Sequence, residues 1–148
     1  MQPTPLSRRC GFTLVEVLVV IAIIGIMTSL VITVYRNVAQ DSRDVVARQQ
    51  QAALQNALNN WITSETTTRS VAQVRADYIA ISTDLGRLNQ LGPYLDEGTL
   101  DHFNNATTEA DKIVSSALLK LGKHIQFSSW DANSYPQVQM TNSPSHNL

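Results

Sequence analysis

An apolar run near the N-terminus, residues 17–35, constrains the fold of this chain more than any other feature. Its nineteen residues are mostly valine, isoleucine and leucine, and none of them is charged. In a helix that rises about 1.5 Å per residue, this run reaches roughly 28 Å, which is close to the thickness of the hydrocarbon core of a membrane. The run therefore predicts a single membrane-spanning helix.

One acidic residue, Glu16, stands directly before this run. A charged side chain at the centre of a bilayer costs about 2.5–3.5 kcal/mol on the lower scales, and a membrane segment that keeps one commonly uses it in a paired, functional role. The alternative is that Glu16 lies at the level of the lipid headgroups without a specific partner. Both interpretations are open at this point.

Ordinary export signals are less consistent with the run. A cleaved secretory signal peptide requires a small-residue site after its apolar core, but Met27-Thr28-Ser29-Leu30 continues without one. An uncleaved signal anchor, oriented by Arg8 and Arg9 in the cytoplasm, explains the topology but leaves Glu16 without a role. A lipoprotein signal needs an apolar stretch before its cysteine, and polar and basic residues precede Cys10.

Length and composition exclude several classes of protein. The 148 residues allow one small domain besides an anchor. A net charge of −1, with no basic stripe after residue 48, argues against nucleic-acid binding. A single cysteine cannot form an intrachain disulfide, so the domain must be held together by packing. Because no nucleophile elbow, phosphate loop or paired-carboxylate site is present, we expect no catalytic residues and no enzymatic activity.

The residues around Glu16 form a specific motif. Gly11-Phe12-Thr13-Leu14-Val15-Glu16, with the apolar run after it, resembles the processing and methylation motif of type IV pilins and of the related pseudopilins of type II secretion. The resemblance implies that prepilin peptidase, a membrane aspartic peptidase, cuts between Gly11 and Phe12 on the cytoplasmic side. It also implies that the new N-terminal amine, that of Phe12, is methylated. Gly11 suits the cut because a residue without a side chain lets extended backbone enter a narrow cleft.

The same resemblance implies an assembly role for Glu16. In the family this carboxylate is thought to pair with the N-terminal amine of the neighbouring subunit, here that of Phe12. Gly25 is a candidate hinge, since pilin-like filaments often loosen the helix in this region, and close packing of helices at a small residue explains it equally well. Relatives often have a proline where this chain has Thr33, so we expect a continuous helix.

Four segments are predicted along the chain. Residues 1–11 form a leader that is removed, 12–35 the transmembrane and assembly half of a long helix, and 36–63 its amphipathic half. Residues 64–148 form a small head that begins with a loop at 64–68. Apolar residues at three- and four-residue steps are expected to join the long helix to the head: Val38, Val45, Val46, Ala53, Leu54, Ala57, Leu58, Trp61 and Ile62.

The head is predicted to contain two further helices and a C-terminal β-hairpin. The first helix runs from Val71 to Leu91 after a capping box at Ser70, with a break considered at 82–84, and the second runs from Ala106 to Leu121. Alternation at 124–128 and 137–141 predicts the two strands. Their shared apolar face should cover the second half of the long helix: Ile125, Phe127, Val138 and Met140. The fold class is therefore α+β and mostly helical.

We expect no cofactor, with calcium as the alternative. Asp96 and Asp101 flank a glycine in one acidic turn, and Asp131 lies in another. Carboxylates in a turn suit calcium, but ordinary solvated turns have the same composition. The three histidines have no metal-ligand spacing: His102, His124 and His146.

The expected function is that of a structural subunit in a pilin-like filament, either a pseudopilin of type II secretion or a type IV pilus subunit. The resemblance implies a single pass through the bacterial inner membrane, with the head in the periplasm or in an extracellular filament. Implied partners are other copies or related subunits, prepilin peptidase and an inner-membrane assembly platform. The head has no disulfide, which favours a pseudopilin by analogy. The alternative is a membrane-anchored binding module that does not polymerise.

We expect Gly11→Glu to stop processing, because a long charged side chain blocks the extended backbone from the cleft of the peptidase. The intact mass of the membrane-extracted protein checks this: wild type should begin at Phe12 and carry one methyl group, and the variant should keep its leader. Mature protein of unchanged mass in the variant would place the cut elsewhere.

Overall fold

The computed structural model describes residues 12–143, which form two compact units, one ending at Ala39 and the other beginning at Gln40. Along the chain the elements are α1 (Leu14–Thr68), α2 (Val71–Ala80), α3 (Asp84–Gln90), a 3-10 turn (Gly92–Tyr94), α4 (Glu97–Ala106), α5 (Ser116–Leu121), β1 (Lys123–Phe127) and β2 (Val138–Asn142). The two strands form one antiparallel sheet. The predicted class, α+β and mostly helical with a long N-terminal helix, is confirmed. Four α-helices rather than two follow α1 within the described range.

The first unit consists mainly of the beginning of α1, and its large apolar side chains are exposed. The helix continues through Gly25 and through residue 33, where the lack of a proline predicted a continuous helix. Inside the apolar run, Thr28 Oγ1 donates to Ile24 O at 2.7 Å, which satisfies the hydroxyl within its own helix. Of the described residues, only α1 contains a stretch long and apolar enough to cross a membrane.

In the second unit, one face of α1 supplies a large part of the core. Its buried residues recur at three- and four-residue steps: Ala47, Leu54, Ala57, Leu58, Trp61 and Ile62. The prediction was wrong for Val45, Val46 and Ala53, which are exposed, and Val38 in the first unit is exposed as well. The physical reason is helical periodicity: the face set by Ala47 and Leu54 leaves these residues pointing elsewhere.

The end of α1 lies at Thr68, so the predicted loop at 64–68 is wrong. The threonine hydroxyls of this last turn are satisfied within the helix, because Thr66 Oγ1 donates to Ile62 O at 2.7 Å and Thr67 Oγ1 donates to Thr63 O at 2.9 Å. Ser70 then caps α2, and its capping box with Gln73 is present as predicted.

The predicted break in the next helix is confirmed, since α2 ends at Ala80 and α3 begins at Asp84. Thr83 caps α3 by accepting a hydrogen bond from Gly86 N at 3.2 Å. A side chain at Gly86 would meet Ile81 Cγ2 at 2.8 Å, so the compact turn between the two helices depends on this glycine.

The predicted helix from Ala106 to Leu121 is wrong over most of its length. Residues 107–115 are not helical, because Ile113 pairs with β1: Ile113 N donates to Ile125 O at 3.1 Å, and Ile125 N donates to Ile113 O at 2.8 Å. Only its last part forms α5, which Ser115 caps. The contact with a strand distant in sequence thus overrides the local helical pattern.

The hairpin is confirmed, with Ile125 opposite Met140 and Phe127 opposite Val138. Its apolar residues Ile125, Phe127 and Val138 belong to the buried cluster to which α1 also contributes, as predicted. Gln51 Nε2 donates to Val138 O at 2.8 Å, and Val138 N donates to Gln55 Oε1 at 2.7 Å. Glutamines of the helix therefore satisfy backbone groups of the outer strand, β2, that would otherwise be unpaired.

A buried polar cluster holds α2 and α3 to the hairpin. Tyr78 Oη donates to Ser128 O at 2.8 Å, and burial raises the pKa of Tyr78 to about 12. Arg87 lies 4.7 Å from the centre of the Tyr78 ring and pairs with the buried Asp84 at 2.9 Å. Burial raises the pKa of the Asp84 carboxyl, and a hydrogen bond with the Phe127 backbone and the charge of Arg87 oppose that rise. The cluster thus ties polar groups of three segments together.

We expect Gln55→Ala to lower the free energy of unfolding by about 1–3 kcal/mol, because it leaves the buried Val138 N–H without an acceptor. The next residue along the helix, an exposed asparagine, provides the control: Asn56→Ala should stay within about 0.5 kcal/mol of wild type. Urea titration of the full chain in detergent measures both, since Trp61 and Trp130 are buried in the second unit and report its unfolding by fluorescence. Equal losses in the two variants would contradict the assigned contact.

Candidate functional site

The start of α1 holds the Glu16 carboxylate in a defined geometry. Glu16 Oε2 accepts two hydrogen bonds from Thr13, one from the backbone N and one from Oγ1, each at 2.8 Å. In return, Glu16 N donates to Thr13 Oγ1 at 3.3 Å. The first backbone bond of the helix runs from Val17 N to Thr13 O at 3.3 Å.

This reciprocal arrangement is a capping box. A threonine before the helix and a glutamate three residues later satisfy each other's backbone N–H groups, which otherwise have no partner at a helix start. The positive end of the helix dipole also favours a carboxylate at this position. The capping role of Thr13 was not predicted, although Thr13-Leu14-Val15-Glu16 has the pattern of a capping box directly before an apolar run.

Part of the carboxylate is still available to a partner. Oε1 of Glu16 accepts no hydrogen bond from any residue between 12 and 143. Both Glu16 and Phe12 are exposed, and Phe12 has 82% of its surface accessible. One oxygen is therefore fixed by Thr13, while the other can accept a hydrogen bond from a cationic donor outside the chain.

The other predicted N-terminal residues divide into those inside and those outside the described range. Gly11 lies outside it, so cleavage between Gly11 and Phe12 stays a prediction, as does methylation of Phe12. Gly25 lies within α1, and a Cβ there would meet no atom within 4 Å. Its role as a hinge also stays a prediction.

The three candidate calcium ligands have different structural roles. Asp96 caps α4 by accepting from Thr99 N at 2.8 Å, and hydrogen bonding by Thr99 lowers the pKa of Asp96. Asp101 lies within α4, and Asp131 accepts from Ser129 Oγ at 3.5 Å in the loop between the strands. In the part of the chain that the structure describes, no three histidine, cysteine, aspartate or glutamate side chains form a group that could hold a metal.

The comparison with protein families agrees with the geometry of the N-terminus. The family model for the prokaryotic N-terminal methylation motif matches residues 6–32. The chain has a type IV pilin-like N-terminus. No curated protein and no solved structure matches the chain significantly. The match leaves residues 33–148 outside it, so it covers residues 6–11, the capping box and most of the apolar run.

The pilin-like N-terminus bears on the general role of the whole protein. It indicates a structural protein that prepilin peptidase processes and that assembles with other pilin-like subunits. Together with the apolar stretch in α1, it fits a membrane-anchored protein.

Removal of the Thr13 hydroxyl should loosen the start of the pilin-like helix. We expect Thr13→Ala to raise the amide hydrogen-exchange rate of Glu16 about fivefold, equivalent to loss of a cap of about 1 kcal/mol. Thr13→Ser keeps a hydroxyl at the same position and should exchange like wild type. NMR of the full chain in detergent micelles measures both rates. The capping box would be contradicted if the alanine and serine variants exchanged equally fast.

Proposed function

We propose that this chain is a structural subunit of a pilin-like filament, a pseudopilin of type II secretion or a type IV pilus subunit, and that it polymerises through α1. The observation that carries the proposal is the Glu16 carboxylate, held at the helix start inside a matched methylation motif with one oxygen unoccupied. The role requires no catalytic residue and no cofactor.

The chemistry of assembly follows from the cost of a charge near lipid. In a single subunit, the Glu16 carboxylate and the amine of Phe12 each lose water when the apolar helix is in the membrane. Pairing the amine of one copy with Glu16 of the next offsets this cost for both groups. Thr13 supports the pairing by fixing the carboxylate, so less side-chain freedom is lost when the amine binds.

The proposed location is the bacterial inner membrane, with one pass and the head on the periplasmic side before assembly. Arg8 and Arg9 favour a cytoplasmic leader, which places the Gly11–Phe12 bond on the side where prepilin peptidase acts in the family. Removal of residues 1–11 would also remove Cys10, the only cysteine. A head without a disulfide favours a pseudopilin over a surface pilus subunit.

Two substitutions of Glu16 separate its charge from its capping role. Glutamine can occupy the same place in a capping box, so Glu16→Gln keeps the helix start and removes the charge, whereas Glu16→Val removes both. We expect both variants to insert and to be cleaved, as shown by intact mass. We also expect both to lower the yield of sheared filaments by about tenfold or more, because the amine of the neighbour loses its counter-charge.

The matched control is Thr13→Ser, which keeps both the capping hydroxyl and the Glu16 charge and should assemble like wild type. Wild-type filament yield in Glu16→Gln would overturn the proposed pairing. A lack of filaments in wild type, in cells that process the chain, would favour the alternative, a membrane-anchored binding module that does not polymerise.

A further inference from the structure

Two opposite charges stand unpaired on α1 just after the apolar run. Arg36 and Asp41 are both exposed, and within residues 12–143 neither forms an ion pair. The next acid along the helix behaves differently: Asp44 pairs with Arg48 at 2.7 Å and with Lys123 at 3.3 Å. Asp44 is therefore paired within the second unit, whereas Asp41 has no ion-pair partner among residues 12–143.

Arg36 and Asp41 cannot pair with each other in the same copy. Side chains three or four residues apart are neighbours on a helix surface, but those five residues apart are not. A free arginine beside an apolar surface is a good partner for a carboxylate from another molecule, since its guanidinium donates two parallel hydrogen bonds.

The spacing of these charges repeats the spacing at the N-terminus. In both places a positive group precedes an acid, by four residues from Phe12 to Glu16 and by five from Arg36 to Asp41. The two positive groups are 24 residues apart and the two acids 25 residues apart. At about 1.5 Å per residue, these separations are roughly 36 Å and 37.5 Å along a helix.

A single offset between two parallel copies therefore aligns both pairs. If the amine of Phe12 in one copy is level with Glu16 in the next, Arg36 of the first copy lies about 1.5 Å in height from Asp41 of the second. The length of an arginine side chain easily covers such a difference. The same offset places Asn56 level with residue 60 of one neighbour and with residue 52 of the other, and no charged residue stands within two residues of either position.

We infer that Arg36 of one copy pairs with Asp41 of a second copy of this chain, in the same register as Phe12 with Glu16. The inference rests on the proposed function, since the N-terminal pair sets the offset. Each contact leaves the first copy's Asp41 and the second copy's Arg36 free for further copies. Such head-to-tail contacts build an open filament rather than a closed dimer.

Charge reversal tests the pair in the full chain. Arg36→Glu and Asp41→Arg should each lower the yield of sheared filaments by about tenfold, because like charges then meet between copies. The double variant restores opposite charges and should recover a yield within about threefold of wild type. Asn56→Glu is the matched control, because it adds a charge on α1 away from this pair, and it should stay within about twofold of wild type. No recovery in the double variant, or an equal loss in the control, would overturn the inference.

Cysteine cross-linking tests the register without charge effects. The only native cysteine, Cys10, lies in the predicted leader, so mature copies carry only the cysteines that are introduced. Copies with Arg36→Cys mixed with copies with Asp41→Cys should form disulfide-linked dimers on mild oxidation. Copies with Arg36→Cys mixed with Gln49→Cys should not, because that offset separates the two positions by about 14 Å in height in one order of the copies and by more in the other. Equal cross-linking of both mixtures would contradict the proposed register.

The two proposals fail differently. If wild type makes filaments, Glu16→Gln abolishes them and the Arg36–Asp41 swap gives no recovery, the second ion pair is wrong and the proposed function stands. If wild type forms no filaments in cells that process it, both proposals are wrong.

Discussion

The Glu16 carboxylate stands at the start of a helix that carries no further charge until Arg36, and the function we propose depends on how this negative charge is stabilised. Thr13 supplies two hydrogen bonds and the helix start adds a favourable dipole. These interactions stabilise the charge without neutralising it. A cationic partner is still needed where water is scarce, and the remaining oxygen is where it can bind.

The second unit is stabilised by the part of α1 that follows Ala39, through apolar packing and side-chain hydrogen bonds. One face of α1 contributes apolar side chains from Ala47 to Ile62, and its glutamines bind the backbone of β2. Gln50 adds a third polar contact by accepting from Ser115 Oγ at 2.7 Å. The two bonds to β2 explain the presence of Gln51 and Gln55 in a core-facing helix, because the adjacent hairpin has too few strands to satisfy its own outer edge.

Much of this structure could be predicted from local sequence patterns, and the predictions that were wrong share a common cause. The helix over the apolar run, the capping box at Ser70 and the two strands of the hairpin follow from local sequence patterns and were predicted correctly. The helix expected at 106–121 failed because Ile113 pairs with Ile125, a contact that periodicity cannot reveal. The predicted burial of Val45 and Val46 was wrong because apolar residues occupy several faces of the helix, and only packing against the head determines which face is buried. At the site, a role was predicted for the charge of Glu16, but its capping partner, Thr13, was not predicted, although the pattern of a capping box was present.

The most direct measurement of the central claim is a density map of the assembled filament, at a resolution that shows side chains around Glu16. The account predicts that the carboxylate of each copy lies within about 4 Å of the N-terminal amine of a neighbouring copy, in a surrounding of apolar side chains. A map in which the acid faces lipid or water, with no amino terminus near it, would contradict the account.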